Sequence, residues 1–208
     1  MKAAILAAGL GQRMGGRPKA ALQVGGVSLL ERLVSALREA GVDDTAVVLG
    51  PYPQTLVPLA QRCGARVLQA PPDTPLAASQ RLAIQAHIGH APDHDMLVLL
   101  ADLPCLTSAH IAWLLDAWRQ RPAGVHAQMP VVDGVDGVRG HPLILSWQAV
   151  QAVAAMPASL GIRDWLHSHP AQVCPLPTPE RAYTADLDTP EDVEALRKAL
   201  YPQPVGWP

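Results

Sequence analysis

The chain reads as α/β, with a mostly parallel sheet covered by helices, and three observations predict it. Short apolar runs recur at Lys2 to Leu6, Thr45 to Leu49, Arg66 to Leu68 and Met96 to Leu100, with amphipathic helical stretches between them. Runs with so little polar alternation are buried on both faces, as parallel strands between helices are. Size is the third: 208 residues, 49% hydrophobic and 16% charged, supply one sizeable core and require no second domain.

Each element has its own signal. The strand Lys2 to Leu6 stops abruptly in a glycine-rich turn. Ser28-Leu29-Leu30-Glu31 is a capping-box sequence that opens a helix through Leu33, Val34 and Leu37 and stops at Gly41. Thr107 and Ser108 are placed to cap the helix after Met96 to Leu100. Beyond Gln120 the rhythm changes. The stretch Val131 to Val138 reads as a glycine-rich hairpin or mobile loop, followed by a strand from Pro142 to Leu145 and a helix after Ser146. A strand carrying Asp186 and Asp188 is expected to enter a last helix, with Thr189 at the cap, Pro190 in the first turn, and Glu191 and Asp192 against the dipole. The tail from Tyr201 to Pro208 is proline-rich and expected to fray.

Composition narrows the function classes. A formal net charge of −2 gives no general basic surface for nucleic acid. The longest apolar runs are far too short to span a bilayer, and the N-terminus lacks a signal-peptide core, so a cytoplasmic protein is expected. Cys63, Cys105 and Cys174 are widely separated and suggest neither a disulfide framework nor a zinc knuckle. His87, His90 and His94 straddle a helix end and read as surface histidines.

Against that background the loop after the first strand is distinctive. Ala7-Ala8-Gly9-Leu10-Gly11-Gln12-Arg13-Met14-Gly15-Gly16-Arg17-Pro18-Lys19 combines glycines, which permit close backbone approach, with three cations, and no Asp or Glu precedes Glu31. This is what cradling a polyphosphate needs. A Walker A loop is excluded because Arg17 and Pro18 stand where Lys and Ser/Thr are required. A dinucleotide fingerprint is excluded because Met14 replaces its third glycine and the next strand ends Val48-Leu49-Gly50 with no carboxylate for a ribose. Asp102, just past the end of an apolar strand, lies where open α/β sheets bind ligands and where a carboxylate can hold Mg²⁺ between phosphate oxygens.

The stretch from Leu6 to Leu22 resembles the signature of the small nucleotidyltransferases that include the molybdenum cofactor cytidylyl- and guanylyltransferases. Leu100-Ala101-Asp102-Leu103-Pro104, Gly140-His141-Pro142 and Asp186-Leu187-Asp188-Thr189-Pro190-Glu191-Asp192 resemble further motifs of that family, in family order. The resemblance implies a single-domain, three-layer α/β/α nucleotidyltransferase fold with a Rossmann-like sheet over residues 1–200. Residues 1–120 would be the nucleotide-binding half, 121–200 the acceptor-facing half, and 201–208 a flexible tail.

It also implies roles. Leu6, Ala7, Ala8, Gly9, Gly11, Arg13, Lys19 and Ser79 would bind the nucleotide, with Lys19 on the α-phosphate and Arg13 on the β- and γ-phosphates. Asp102 and Asp186 would hold Mg²⁺, and His141 and Asp188 would face the acceptor. Lys19, Arg13 and Asp102 would carry the catalysis. The expected partners are a nucleoside triphosphate, molybdopterin and an apo-molybdoenzyme, and Leu6-Ala7-Ala8-Gly9 points to CTP because guanylyl-transferring members typically read Leu-Ala-Gly-Gly there. Three rivals stay open: a GTP-using guanylyltransferase, a transferase acting on a sugar phosphate or isoprenoid-precursor phosphate, and a non-catalytic carrier of the finished cofactor.

Overall fold

In the computed structural model, which describes residues 1–133 and 137–208, the chain begins with β1 (Lys2–Ala7), β2 (Gln23–Val24), β3 (Val27–Ser28) and α1 (Leu29–Glu39). It continues through β4 (Thr45–Leu49), α2 (Pro53–Arg62), β5 (Arg66–Gln69), α3 (Leu76–His90), β6 (Met96–Leu100) and α4 (Ser108–Arg119). Then follow β7 (Ala127–Val132), β8 (Val138–Arg139), β9 (Leu143–Leu145), α5 (Trp147–Ala155), α6 (Ile162–Ser168), β10 (Val173–Thr178), α7 (Pro190–Leu200) and β11 (Val205–Gly206). Of the expected glycine-rich hairpin or loop, residues 134–136 lie outside the described residues; on either side of them β7 and β8 pair antiparallel.

The main sheet has the order β10-β7-β9-β6-β1-β4-β5, with β8 beside β7. β1 runs parallel to β4 and β6, β4 to β5, and β10 to β7, while β9 is antiparallel to β6 and β7. Strand alternation divides the core. Ala3 and Ile5 face the layer of α1, α2 and α4, whereas Ala4 and Leu6 face α3, α5 and α6. This is the expected α/β/α arrangement of a mostly parallel sheet. Both faces are covered, which is why the strands read as unbroken apolar runs. Among the described residues no helix is long and apolar enough to cross a membrane.

The capping signals act as expected. Ser28 Oγ accepts the Glu31 N–H at 3.2 Å and the Glu31 carboxylate accepts the Ser28 N–H at 3.1 Å. Thr189 occupies the N-cap of α7, where Asp192 Oδ2 accepts the N–H groups of Thr189 at 2.7 Å and Asp188 at 2.9 Å.

Three expectations fail. Residues 186–188 form no strand; they are held as irregular chain by Leu187, whose N–H donates to the Asp102 carbonyl at 3.1 Å and whose side chain is buried beside α7. The proline-rich tail does not fray. β11 pairs antiparallel with β2, Gly25 N–H donates to the Pro204 carbonyl at 2.8 Å, and Val205 is buried. Proline composition says nothing of a free strand edge, and β2 offers one. His87 is no surface group: it is 4% exposed, and its Nε2 bonds the His94 carbonyl at 2.7 Å.

Candidate active site

The end of β1 and the end of β6 lie side by side and open into a cavity of about 220 Å³. Leu6, Ala7, Ala8 and Gly9 form one part of its lining, Leu100, Ala101 and Asp102 another, and Lys19 and Ser79 reach in from the loop and from α3. A Cβ on Gly9 would meet no atom within 4 Å, so this backbone presents an open face to a ligand. The site sits at the carboxyl ends of the parallel strands, where helices begin and strand side chains give way to loops.

The loop gets its shape from glycine. Gly11, Gly15 and Gly16 all have φ between 59° and 71°, a left-handed region that side chains disfavour. At Gly11 the requirement is doubled, because a Cβ there would sit 2.2 Å from the Arg17 carbonyl oxygen. The Gly11 carbonyl accepts from Met14 N at 2.8 Å and Gly16 N at 3.0 Å, curling the loop on itself. Met14 is buried against Leu22, Leu187 and α7, which ties the loop to the C-terminal motif. Tyr52 OH donates to the Leu10 carbonyl at 2.7 Å from the other side.

The charges form one network. Lys19 Nζ lies 2.9 Å from Asp102 Oδ2 and 2.6 Å from Asp188 Oδ1, and Arg13 Nη1 is 3.8 Å from Asp188 Oδ2. Burial disfavours the Lys19 ammonium, but its hydrogen bonds to Asp188 and Asp102 outweigh that and hold its pKa above the ordinary lysine value. Partial desolvation raises the Asp186 carboxyl above its ordinary value, helped by repulsion from Asp102 and Asp188 and opposed by its own backbone N–H and by Lys19. These five groups therefore form one charged cluster, although 188 and 13 are far apart in sequence. Asp188 is the counter-ion of both loop cations, and the start of the last helix beside it is satisfied by Thr189 and Asp192.

Two polar atoms are left without a protein partner where a ligand would need them. Asp102 Oδ1 is buried and makes no hydrogen bond, and so is Ser79 Oγ, on a residue only 2% exposed in the cavity wall. Leaving such atoms unpaired costs about 1–3 kcal/mol each. His141 Nδ1 is likewise buried and unpartnered. Desolvation lowers the His141 pKa despite the Val98 carbonyl, Asp102 and Asp186 nearby, so the ring is neutral at pH 7. Its main-chain N–H donates to the Tyr183 carbonyl at 2.8 Å, and Gly140 fits only because a Cβ there would lie 2.6 Å from that same oxygen.

A metal ion here would take few protein ligands. Among the described residues no three His, Cys, Asp or Glu side chains form a metal-holding group. The free Oδ1 of Asp102 and the nearby Asp186 do fit an ion such as Mg²⁺, which takes one or two carboxylates and fills its other positions with phosphate oxygens and water.

Sequence reasoning passed over four contributors. Tyr52 and Trp207 hold the loop, the latter by donating Nε1–H to the Pro18 carbonyl at 3.2 Å. Thr74 and Leu76 add to the cavity wall. Tyr52 follows Gly50-Pro51 at a strand's carboxyl end, a position that itself marks a crevice residue; nothing in the sequence singles out Trp207.

Known proteins agree with this architecture. The bifunctional protein GlmU of Syntrophomonas wolfei is 31% identical over 124 residues, which are 59% of this chain and 27% of that protein. The nicotine blue oxidoreductase of Paenarthrobacter nicotinovorans is 28% identical over 193 residues, 92% of this chain and 94% of that one. The chain thus spans about a quarter of the first relative and nearly all of the second. Among solved structures, Rv0371c of Mycobacterium tuberculosis superposes with a TM-score of 0.77 at 24% identity, over 95% of this chain and 98% of that one. A complex of the same mycobacterial protein with manganese superposes at 0.70. Residues 3–173 match the family described as MobA-like NTP transferase domain, and the chain belongs to that family.

Proposed function

We propose that this protein transfers a nucleotidyl group from a nucleoside triphosphate, CTP in preference to GTP, to the terminal phosphate of molybdopterin, releasing pyrophosphate. The observation that carries the reading is the unpartnered, buried Oδ1 of Asp102, set beside the Lys19 ammonium on the rim of a cavity floored by open Gly9 backbone. Family membership supports an NTP as substrate. The preference for CTP and for the molybdenum cofactor rests on the resemblance of Leu6-Ala7-Ala8-Gly9 and Gly140-His141-Pro142 to that branch.

In this reading residues 1–120 form the nucleotide half and 121–200 the acceptor half. An oxygen of the acceptor phosphate attacks the α-phosphorus in line, the bond from that phosphorus to the bridging oxygen of the β-phosphate breaks, and pyrophosphate leaves. No general base is needed, because a phosphate monoester with a second pKa near about 6 is already largely a dianion at neutral pH. Asp102 and Asp186 would hold Mg²⁺, which when bound neutralises charge on the phosphate oxygens. Lys19 moves from its two carboxylates to the α-phosphate, where charge grows, and Arg13 binds the β- and γ-phosphates. Ser79 Oγ bonds the base or ribose, and neutral His141 bonds the acceptor. An apo-molybdoenzyme would receive the product.

The relative named as an oxidoreductase supports a second reading, because it matches this chain nearly end to end. Such a protein would use the same cavity for a redox reaction in place of nucleotidyl transfer. One experiment separates the readings. With Mg²⁺, molybdopterin and radiolabelled CTP or GTP, transfer predicts stoichiometric pyrophosphate and a pyrophosphate-linked product. Sugar phosphates and isoprenoid-precursor phosphates are the competing acceptors. Tight product binding without turnover marks a carrier, and redox turnover with no pyrophosphate release overturns the transferase reading.

A further inference from the structure

We propose that Trp207 is a positioning residue of the phosphate loop: it holds the Arg17 side chain and the Pro18–Lys19 peptide from outside and so sets where Gly11 and Lys19 stand when a triphosphate binds. The proposal rests on the reading of this loop as a triphosphate site and adds a residue that no loop motif contains.

The loop's own bonds do not close it. Residues 13 and 15–17 are exposed, and the bonds from Met14, Gly15 and Gly16 all return to Gly11 or Gln12 at its entry. The exit at Arg17–Pro18 meets the entry through the bare Cα of Gly11, against which the Arg17 carbonyl lies. That contact attracts little, so something else must press the exit inward. Trp207 is so placed. Its Nε1–H donates to the Pro18 carbonyl at 3.2 Å, an oxygen that also accepts from Ala21 N at 3.0 Å and so starts the turn bearing Lys19. Its ring centroid lies 5.1 Å from the Arg17 guanidinium carbon, within cation–π distance.

Trp207 is itself anchored. β11 pairs with β2, the Arg197 Nε–H on α7 donates to the Val205 carbonyl at 2.8 Å, and the indole packs against both the main core and the α7 cluster. The helix whose first turn follows Asp188 and the loop bearing Lys19 are thereby joined at two points, by the ion pair at one end and by Trp207 at the other. If the bound shape of the loop is populated only in part, apparent affinity falls by that fraction while the rate from the filled site does not.

The test is hydrogen exchange together with kinetics on Trp207→Ala and Trp207→Phe, the second keeping the ring and losing the N–H. Expected in Trp207→Ala are several-fold faster exchange confined to residues 11–22, with β4 and β6 unchanged. The triphosphate KM should rise about tenfold at near-constant kcat, with Trp207→Phe intermediate. Unchanged exchange at 11–22, a uniform rise across the whole chain, or a loosened loop with unaltered MgCTP and MgGTP binding each overturns the proposal. Failure of the underlying reading looks different: wild-type protein would then show no protection of residues 11–22 on adding MgCTP or MgGTP.

Discussion

Leu6, Ala7, Ala8, Leu100 and Ala101, which floor the cavity, stand at the ends of two paired strands and owe their positions to apolar burial. Arg13, Lys19, Asp102, Asp186 and Asp188, around its rim, stand on loops from three distant parts of the chain and are placed by one another's charge. The two regions answer to different forces. The floor is insensitive to charge and sensitive to a methyl group, whereas the rim tolerates changes of shape and responds to any charge removed. Two cations face three carboxylates there, which is a rim that gains from a divalent cation and is repelled by a bare triphosphate.

The sharpest way to break the comparison is at Asp102, which joins floor to rim. Asp102→Asn keeps the shape of the side chain and removes its charge, so turnover should fall by roughly a hundredfold or more while the fold survives. Lys19 keeps its pairing with Asp188 at 2.6 Å in this variant, so the ammonium is not left without a partner. Steady-state pyrophosphate release and a thermal melt, run on the same preparation, check both halves. A folded variant with near-wild-type turnover removes Asp102 from the chemistry.

The same division explains what was legible in the sequence. The floor was readable because burial on both faces leaves unbroken apolar runs, and because Ser28-Leu29-Leu30-Glu31 and Thr189-Pro190-Glu191-Asp192 act locally. The glycine-rich, cationic turn that holds Gly11 and Lys19 was legible from its run of residues. What the rim does with its charges was not. The stretch without a single acid before Glu31 finds its counter-ions at Asp102 and Asp188, and no local rule announces a pairing across 83 or 169 residues. The strand expected at 186–188 failed because alternation of Asp186, Leu187 and Asp188 reflects one buried leucine between two rim carboxylates, not a ladder. The docked tail escaped because strand pairing of two residues leaves no periodicity to read.

A smaller effect sharpens the floor. Ala8 is only 8% exposed, and its backbone and methyl crowd Gly50: a Cβ on Gly50 would lie 2.7 Å from the Ala8 carbonyl oxygen and 3.1 Å from its methyl. The methyl therefore acts chiefly by fixing the height of the floor, and less by projecting into the space for the base. Ala8→Gly loosens that backbone and should shift the CTP-to-GTP preference toward GTP, within the roughly 1–3 kcal/mol that one methyl group provides. Competition kinetics with both nucleotides reads the ratio directly. A wild-type preference for GTP sinks the cytidylyl assignment and leaves nucleotidyl transfer standing; an unchanged ratio in Ala8→Gly takes the specificity away from this position.

The smallest expected effect tests whether charge matters beneath the floor as well as around it. His87 sits on α3, whose inner face covers the same side of the sheet as Leu6 and Ala8, and it is buried with Nε2 against the His94 carbonyl. Desolvation lowers its pKa below 6.5, outweighing the pull of that carbonyl. A histidine whose folded pKa is depressed binds its proton more readily when unfolded. Its contribution is thus complete above the unfolded value and is lost as pH falls from about 6.5 through the folded value. The denaturation midpoint of the wild type should accordingly drop on acidification across that window. His87→Gln retains an N–H for the His94 carbonyl without a titrating group, and its midpoint should fall less steeply between about pH 7.5 and about pH 5.5. Equal slopes in the two proteins would take the acid sensitivity in this window away from His87.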